Sequence, residues 1–161
     1  CEADGVSALI LIPAVPAHAD VLAQLHAQCF EEAWDEGSMQ GLLATPGTFG
    51  VIGAAGEDNA PIAFAMARRA LDEAEILSIG VIPDARGLRL GQAILTGLLD
   101  QARRNGVRSM FLEVAADNNP AIALYRGTGF EAAGLRKGYY TRKGSAPVDA
   151  HVLRLVVAAG P

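Results

Sequence analysis

Apolar residues fall in short blocks divided by turn-forming residues, and the spacing inside the blocks changes along the chain. Leu9 to Ile12 reads as a strand, ended by Pro13 and Pro16. From His18 to Phe30 the apolar positions Val21, Leu22, Leu25, Cys29 and Phe30 recur as on one helix face. Ser38 to Ala44 reads as a second, short helix. Thr48 to Ala54 and Ile62 to Arg69 read as strands of an antiparallel hairpin turned by Gly56-Glu57-Asp58-Asn59. Asp72-Glu73 is the next turn, and Ala74 to Ile82 is the third strand of the meander. Leu90 to Arg104 has helical spacing and ends near Asn105-Gly106. Ser109 to Val114 is again an apolar strand, and strand, helix, strand predicts a parallel crossover. Asn119-Pro120 reads as a cap with Pro in the first turn of a short helix through Tyr125, ending at Gly127 or Gly129. Phe130 to Leu135 and Val148 to Val156 are the last strands, with Tyr139-Tyr140 on the connection between them.

The predicted order β-α-α-β-β-β-α-β-α-β-β is an α/β (α+β) fold. It has a mixed sheet of about seven strands with helices on both faces. At 161 residues one domain over residues 6–158 is expected. The chain is 51% hydrophobic and 19% charged, which is globular rather than disordered. A net charge of -5 and a pI near 5.1 argue against direct nucleic-acid binding, which needs a basic face. Cys1 and Cys29 have neither metal-ligand nor disulfide-framework spacing, and His18, His26 and His151 are scattered. No metal is expected. The apolar run Val6 to Val15 is too short to span a bilayer, and no cationic segment precedes it. A cytoplasmic protein without a membrane partner is the expectation.

The stretch Pro83 to Leu95 carries the first chemical signal. A strand enters a loop with Gly87, Gly91, Arg86 and Arg89, and a helix leaves it. Free backbone N–H groups at the positive end of a helix bind anions, phosphate above all. A tight strand-to-helix turn would look the same. Glu113 follows Leu112 near the end of an apolar strand. Alternation sets Met110, Leu112 and Val114 on one face and Phe111 and Glu113 on the other. A carboxylate there loses hydration and becomes a better base; a strand-end Glu paired with a surface Arg is the plainer reading. Tyr125, on the following helix, could donate a proton or simply pack. Asn118 could cap that helix or bond a ligand amide. Glu31, Glu32 and Asp35 surround Trp34, the only Trp. That loop suits either a cationic ligand or plain solvation. No nucleophilic Ser or Cys motif is evident, so chemistry without a covalent intermediate is favoured.

Two motifs together identify a resemblance. Arg86 to Gly91, with Asn118-x-x-Ala121-x-x-Leu124-Tyr125-x-x-x-Gly129-Phe130, resembles the GNAT superfamily of N-acetyltransferases. Leu71-Asp72-Glu73-Ala74, Leu112-Glu113-Val114, Ala121 to Tyr125 and Tyr139-Tyr140 look like its bacterial ribosomal-protein alanine N-acetyltransferases, the RimI type. The resemblance implies acetyl-CoA as cosubstrate and a protein N-terminus as acceptor, for instance a ribosomal protein with a basic N-terminal segment. It implies that Arg86, Gly87, Leu88, Arg89, Leu90, Gly91 and Gln92 cradle the pyrophosphate. Ile79, Gly80 and Val81 would bind pantetheine and thioester, and Asn118 and Tyr125 would also touch the cofactor. It assigns the base to Glu113 and the acid to Tyr125, and sets Trp34, Tyr139 and Tyr140 near the acceptor. A small-amine acetyltransferase and a non-catalytic acyl-CoA-binding module are the alternatives. The family pattern has Gly or Ala where this chain has Arg89. If that position were left-handed, the side chain would cost roughly 1–2 kcal/mol. Ala33-Trp34 replaces an expected Pro-Trp, and Thr141 an expected Pro.

Overall fold

The computed structural model describes residues 9–87 and 89–157. Residues 6–8, Leu88 and residue 158, which the sequence reading placed in the domain, lie outside them. The meander forms from β2 (Thr48–Ala55), β3 (Ala60–Ala70) and β4 (Glu73–Val81), all antiparallel, with β1 (Ile10–Pro13) on the outer edge of β2. Helix α1 (Ala19–Cys29) and helix α2 (Glu36–Ala44) lie between β1 and β2 in the chain. Helix α3 (Leu90–Arg104) links β4 to β5 (Ser109–Ala115), which runs parallel to it. Helix α4 (Asn119–Thr128) leads to the hairpin β6 (Glu131–Arg142) and β7 (Ser145–Val156). The sheet order is β1-β2-β3-β4-β5-β7-β6. The mixed seven-stranded sheet and the element order are as expected.

Strand β3 is apolar throughout its centre because both of its faces are covered. Ala63, Ala65 and Ala67 turn to the face that also holds Ile94, Leu95 and Leu98 of α3. Phe64 and Met66 turn to the face that holds Leu22 and Leu25 of α1 and Met39 of α2. Small residues on one face leave room for the leucines of α3, while large ones fill the other. Among the described residues no helix is long and apolar enough to cross a membrane.

One expectation needs correction. Tyr139 and Tyr140 lie inside β6 rather than on a connection, because β6 and β7 pair as far as Arg142 and Ser145. Gly138, at φ 61°, and irregular register around Tyr140 hide the strand period there. Asp149 accepts the Gly138 N–H at 2.8 Å and holds the irregularity in place. Of the two cap positions the sequence offers for α4, Asn118 serves and Asn119 does not: the Asn118 side chain accepts the Ala121 N–H at 3.3 Å.

The feature that makes a site is the pairing of β4 with β5. It covers Glu73 with Ser109, Ala74 with Met110 and Glu75 with Phe111, and then stops. A bulge starts the divergence. Met66 pairs with Ser78 and Ala67 with Ile76, so Leu77 is an extra residue in β4. The outer edges stay bonded, β4 to β3 as far as Val81 and β5 to β7 as far as Ala115. The strands therefore part only along their shared edge.

Gly80 permits this packing. A Cβ there would stand 2.9 Å from the Cys29 Sγ and 2.9 Å from the Phe64 Cε1. The close neighbour is thus the end of α1. Gly80→Ala is expected to lower the unfolding free energy by about 1–3 kcal/mol through overpacking. Urea titration should read that loss, and adding Cys29→Ala should return part of it.

Candidate active site

The parted strands enclose a cleft of about 1030 Å³, lined by Ile76 to Val81, Leu112 to Ala115, the loop before α3 and the start of α4. That is at the upper end for a small-molecule site, so it suits a long ligand. The Ile82 N–H donates to the Ile62 carbonyl at 2.9 Å, and Gly80 pairs with Phe64. Backbone groups alternate sides along a strand. Ile79 and Val81 therefore turn their N–H and C=O groups to the open edge, while Gly80 is committed to β3.

At the mouth of the cleft, α3 begins. Its first helical bond runs from the Ala93 N–H to the Arg89 carbonyl. The preceding N–H groups have no partner within the helix, which leaves an electropositive rim. Arg86, Gly87, Arg89, Leu90, Gly91 and Gln92 all line the cleft. Arg86 donates from Nε to the Val81 carbonyl at 2.9 Å, tying the loop to β4. It also sits beside the Cys29 thiol, which burial pushes up and the guanidinium pulls back in part. Arg89 caps α3 in the left-handed conformation, φ 59° and ψ 22°. Arg142 lines the same cleft and pairs with Asp117 through two guanidinium nitrogens.

Tyr125 stands on the cleft wall and is 5% exposed. Its place is fixed by a Schellman turn: the Phe130 N–H bonds the Tyr125 carbonyl at 3.0 Å and the Gly129 N–H bonds the Arg126 carbonyl at 3.1 Å. Gly129 takes φ 114°, which a side chain would oppose. The Phe130 ring packs edge-on to Tyr125 at 5.7 Å. Burial, with Tyr140 adding, pushes the Tyr125 phenol up to about 12, so it holds its proton at neutral pH. Asn118 also lines the cleft. Its Oδ1 is used in the cap, which leaves the Nδ2 hydrogens for a ligand.

A second cleft of about 550 Å³ opens among Trp34, Arg68, Glu75, Glu113, Tyr139 and Tyr140. Ile76, Leu77, Glu113 and Tyr140 line both clefts, so the two meet at the parting of the strands. Glu113 lies 2.9 Å, Oε1 to Nε, from Arg136, the surface Arg of the plainer reading, and its side chain is 17% exposed. The Tyr140 hydroxyl donates to the Glu113 carbonyl at 3.3 Å. Burial raises the Tyr140 phenol, and the carboxylates of Glu113 and Glu75 add to this, so both charges face it.

Thus Glu113, Tyr125, Asn118, Ile79, Val81 and the described loop residues share one cleft, and Trp34, Tyr139 and Tyr140 share the adjoining one. Glu31, Glu32 and Asp35 line neither. Asp35 is spent on the cap of α2, accepting the Ser38 N–H at 2.7 Å, which holds its carboxyl below the usual range. Leu88 is outside the described residues. Glu75 and Arg142 were missed. Glu75 could have been found, since Ala74 and Ile76 are buried to either side and alternation leaves it with Phe111 and Glu113. Arg142 carries no local signal.

The sequence profile described as "Acetyltransferase (GNAT) family" matches residues 19–130. The chain belongs to this family. It is the one that the loop and the Asn118 to Phe130 motif resemble. N-alpha-acetyltransferase RimI of Mycobacterium tuberculosis is 36% identical over 86% of either chain. The [Ribosomal protein bS18]-alanine N-acetyltransferase of Escherichia coli is 45% identical over 78 residues, 48% of this chain and 53% of that relative. That match spans about half the relative's length. The crystal structure of the Escherichia coli ribosomal-protein-S18-alanine N-acetyltransferase superposes with a TM-score of 0.84. It has 26% identity and covers 96% of this chain and 97% of that one.

Arg89 stands where the family resemblance leads one to expect Gly or Ala, and it takes a positive φ. The left-handed side chain costs about 1–2 kcal/mol, and glycine gives back about 0.5–1 kcal/mol through the freer unfolded chain. Arg89→Gly should therefore raise the urea unfolding free energy by up to about 1.5 kcal/mol. Arg89→Ala, which keeps a Cβ at the same φ, should give no such gain.

Proposed function

We propose that this GNAT protein is an acetyl-CoA-dependent N-acetyltransferase that acetylates the N-terminal α-amine of a protein by direct transfer. The observation that carries this reading is the junction of two clefts at Glu113 and Tyr140, with the protonated Tyr125 on the wall of the larger one. A thioester cosubstrate enters from one cleft and an amine from the other. The relatives named for N-terminal acetylation support the class of acceptor. An N-terminal Ala followed by a basic residue, as on a ribosomal protein, is the proposed acceptor.

Acetyl-CoA supplies the activated acetyl group. The larger cleft suits it: open-edge amides, an electropositive helix start and the cations Arg86, Arg89 and Arg142 complement amide and phosphate groups. Arg86 to Gln92 hold the pyrophosphate. The Ile79 and Val81 backbone binds the pantetheine and polarises the thioester carbonyl. Asn118 Nδ2 donates to the same ligand. Glu113, with Oε1 on Arg136, takes the amine proton on Oε2, directly or through water. Tyr125 Oη gives its proton to the departing sulfur. Glu75 and Glu113 make the acceptor cleft favourable to a cation, and this role passes to them from Glu31, Glu32 and Asp35.

Magnitudes favour an α-amine. With a pKa about 7.7–8.0 it is roughly 10–20% neutral at pH 7, whereas a Lys amine at about 10.4 is on the order of 0.04% neutral. One carboxylate suffices for the first.

Mass spectrometry after incubation with acetyl-CoA, an Ala-Arg-type peptide and a panel of small amines tests the reading. Acetyl on the peptide's α-amine supports it. Acetyl only on small amines, or acetyl-CoA binding without transfer, overturns it. Tyr125→Phe should lower kcat by about 10²–10⁴ with the acetyl-CoA KM unchanged. Glu113→Gln should lower kcat most at low pH, where the least amine is already neutral. Glu75→Gln should raise the peptide KM alone.

A further inference from the structure

His26 has no part in the transfer described above. It lies in the last turn of α1 and is 3% exposed. Its Nδ1 accepts the backbone N–H of Trp34 at 3.1 Å, across eight residues of chain. The imidazole also stacks on the indole, with centroids 4.5 Å apart and planes at 17°. Phe30 at 4.5 Å and Phe64 at 5.8 Å enclose the ring on other sides. Trp34 in turn lines the acceptor cleft. One side chain thus fixes both the backbone and the ring of the loop that walls this cleft.

We propose that His26 is a positioning residue for the acceptor: by accepting the Trp34 N–H and stacking on its ring, it sets the Trp34 wall against which the acceptor N-terminus lies. The role of the cleft rests on the function proposed above; the His26–Trp34 contact does not.

The bond needs an unprotonated Nδ1, so the neutral ring carries its proton on Nε2. Burial lowers the His26 pKa from 6.5. The C-terminal end of α1 favours a cation, and burial outweighs it. Uncharged rings enclose the imidazole. The ionisable groups on the flanking segments are accounted for. Cys29 in α1 faces Gly80 and Arg86. Asp35 is held by Ser38. Glu31 and Glu32 are exposed, as is Glu36 at the start of α2. Strand β3 has no ionisable side chain before Arg68. The sign follows: the unfolded chain binds the proton more readily than the native one. The contact is therefore intact above pH 6.5 and is lost as pH falls towards the lowered native value.

Trp34 is the only Trp, so its fluorescence reads the contact directly. In the wild type, emission is expected to change with pH along a curve whose midpoint lies below 6.5. His26→Asn, whose side-chain oxygen can accept the same N–H but does not titrate, should abolish that curve. It should keep the acceptor-peptide KM within about twofold. His26→Leu, which packs but cannot accept, should raise that KM about three- to tenfold with the acetyl-CoA KM unchanged. The same curve in His26→Asn, or a flat one in the wild type, overturns the proposal. So does an unchanged peptide KM in a folded His26→Leu protein. If the wild type acetylates no peptide, the proposed function fails, and the fluorescence curves alone decide whether His26 places Trp34.

Discussion

Beyond Glu75 and Phe111 the parallel ladder between β4 and β5 is gone, and the rest of the molecule is arranged around that loss. Unpaired backbone groups away from water cost about 1–3 kcal/mol each. The divergence survives because both strands are secured on their outer edges, β4 by β3 and β5 by β7. The bulge at Leu77 starts it, and Gly80 lets α1 pack behind it. The open edge is then the N–H and C=O of Ile79 and the N–H of Val81, whose carbonyl Arg86 already takes, and the amide groups of a ligand can match them.

The parting also brings together residues from opposite faces of the sheet. Glu113 projects from β5 away from Met110, Leu112 and Val114, whereas Tyr125 packs with them. On an intact sheet a residue on one face and a residue on the other would be sealed apart. Here one cleft reaches both. The topology thus sets the carboxylate proposed as the base where the two clefts meet and the phenol proposed as the acid on the wall of the larger one. The Schellman turn at Gly129 fixes where Tyr125 stands.

Much of this was legible in the sequence because it is local. Helical spacing gave α1 and α3, and alternation put Glu113 on the face away from Leu112. The Asn118 to Phe130 spacing encodes a cap, a helix and a Schellman turn in succession. What was not legible depends on distant pairing. Arg142 reaches the cleft only through the β6–β7 hairpin, whose length Gly138 disguised. The acidic loop suited either a cationic ligand or plain solvation, and only the fold shows that Asp35 caps α2 and that Glu31 and Glu32 lie outside both clefts. Glu75 is the carboxylate that lines the smaller cleft together with Glu113. The left-handed Arg89 was foreseeable only as a condition, since no local rule requires an Arg to adopt φ 59°.

Acetyl-CoA is proposed to bind along the parted edge of β4 and at the start of α3. Amide hydrogen exchange with and without acetyl-CoA tests this most directly. Slowed exchange is expected at Ile79 and Val81 and through Arg86 to Gln92, with Gly80, already bonded to β3, unchanged. Binding of acetyl-CoA that protects other segments and leaves these amides untouched would contradict it.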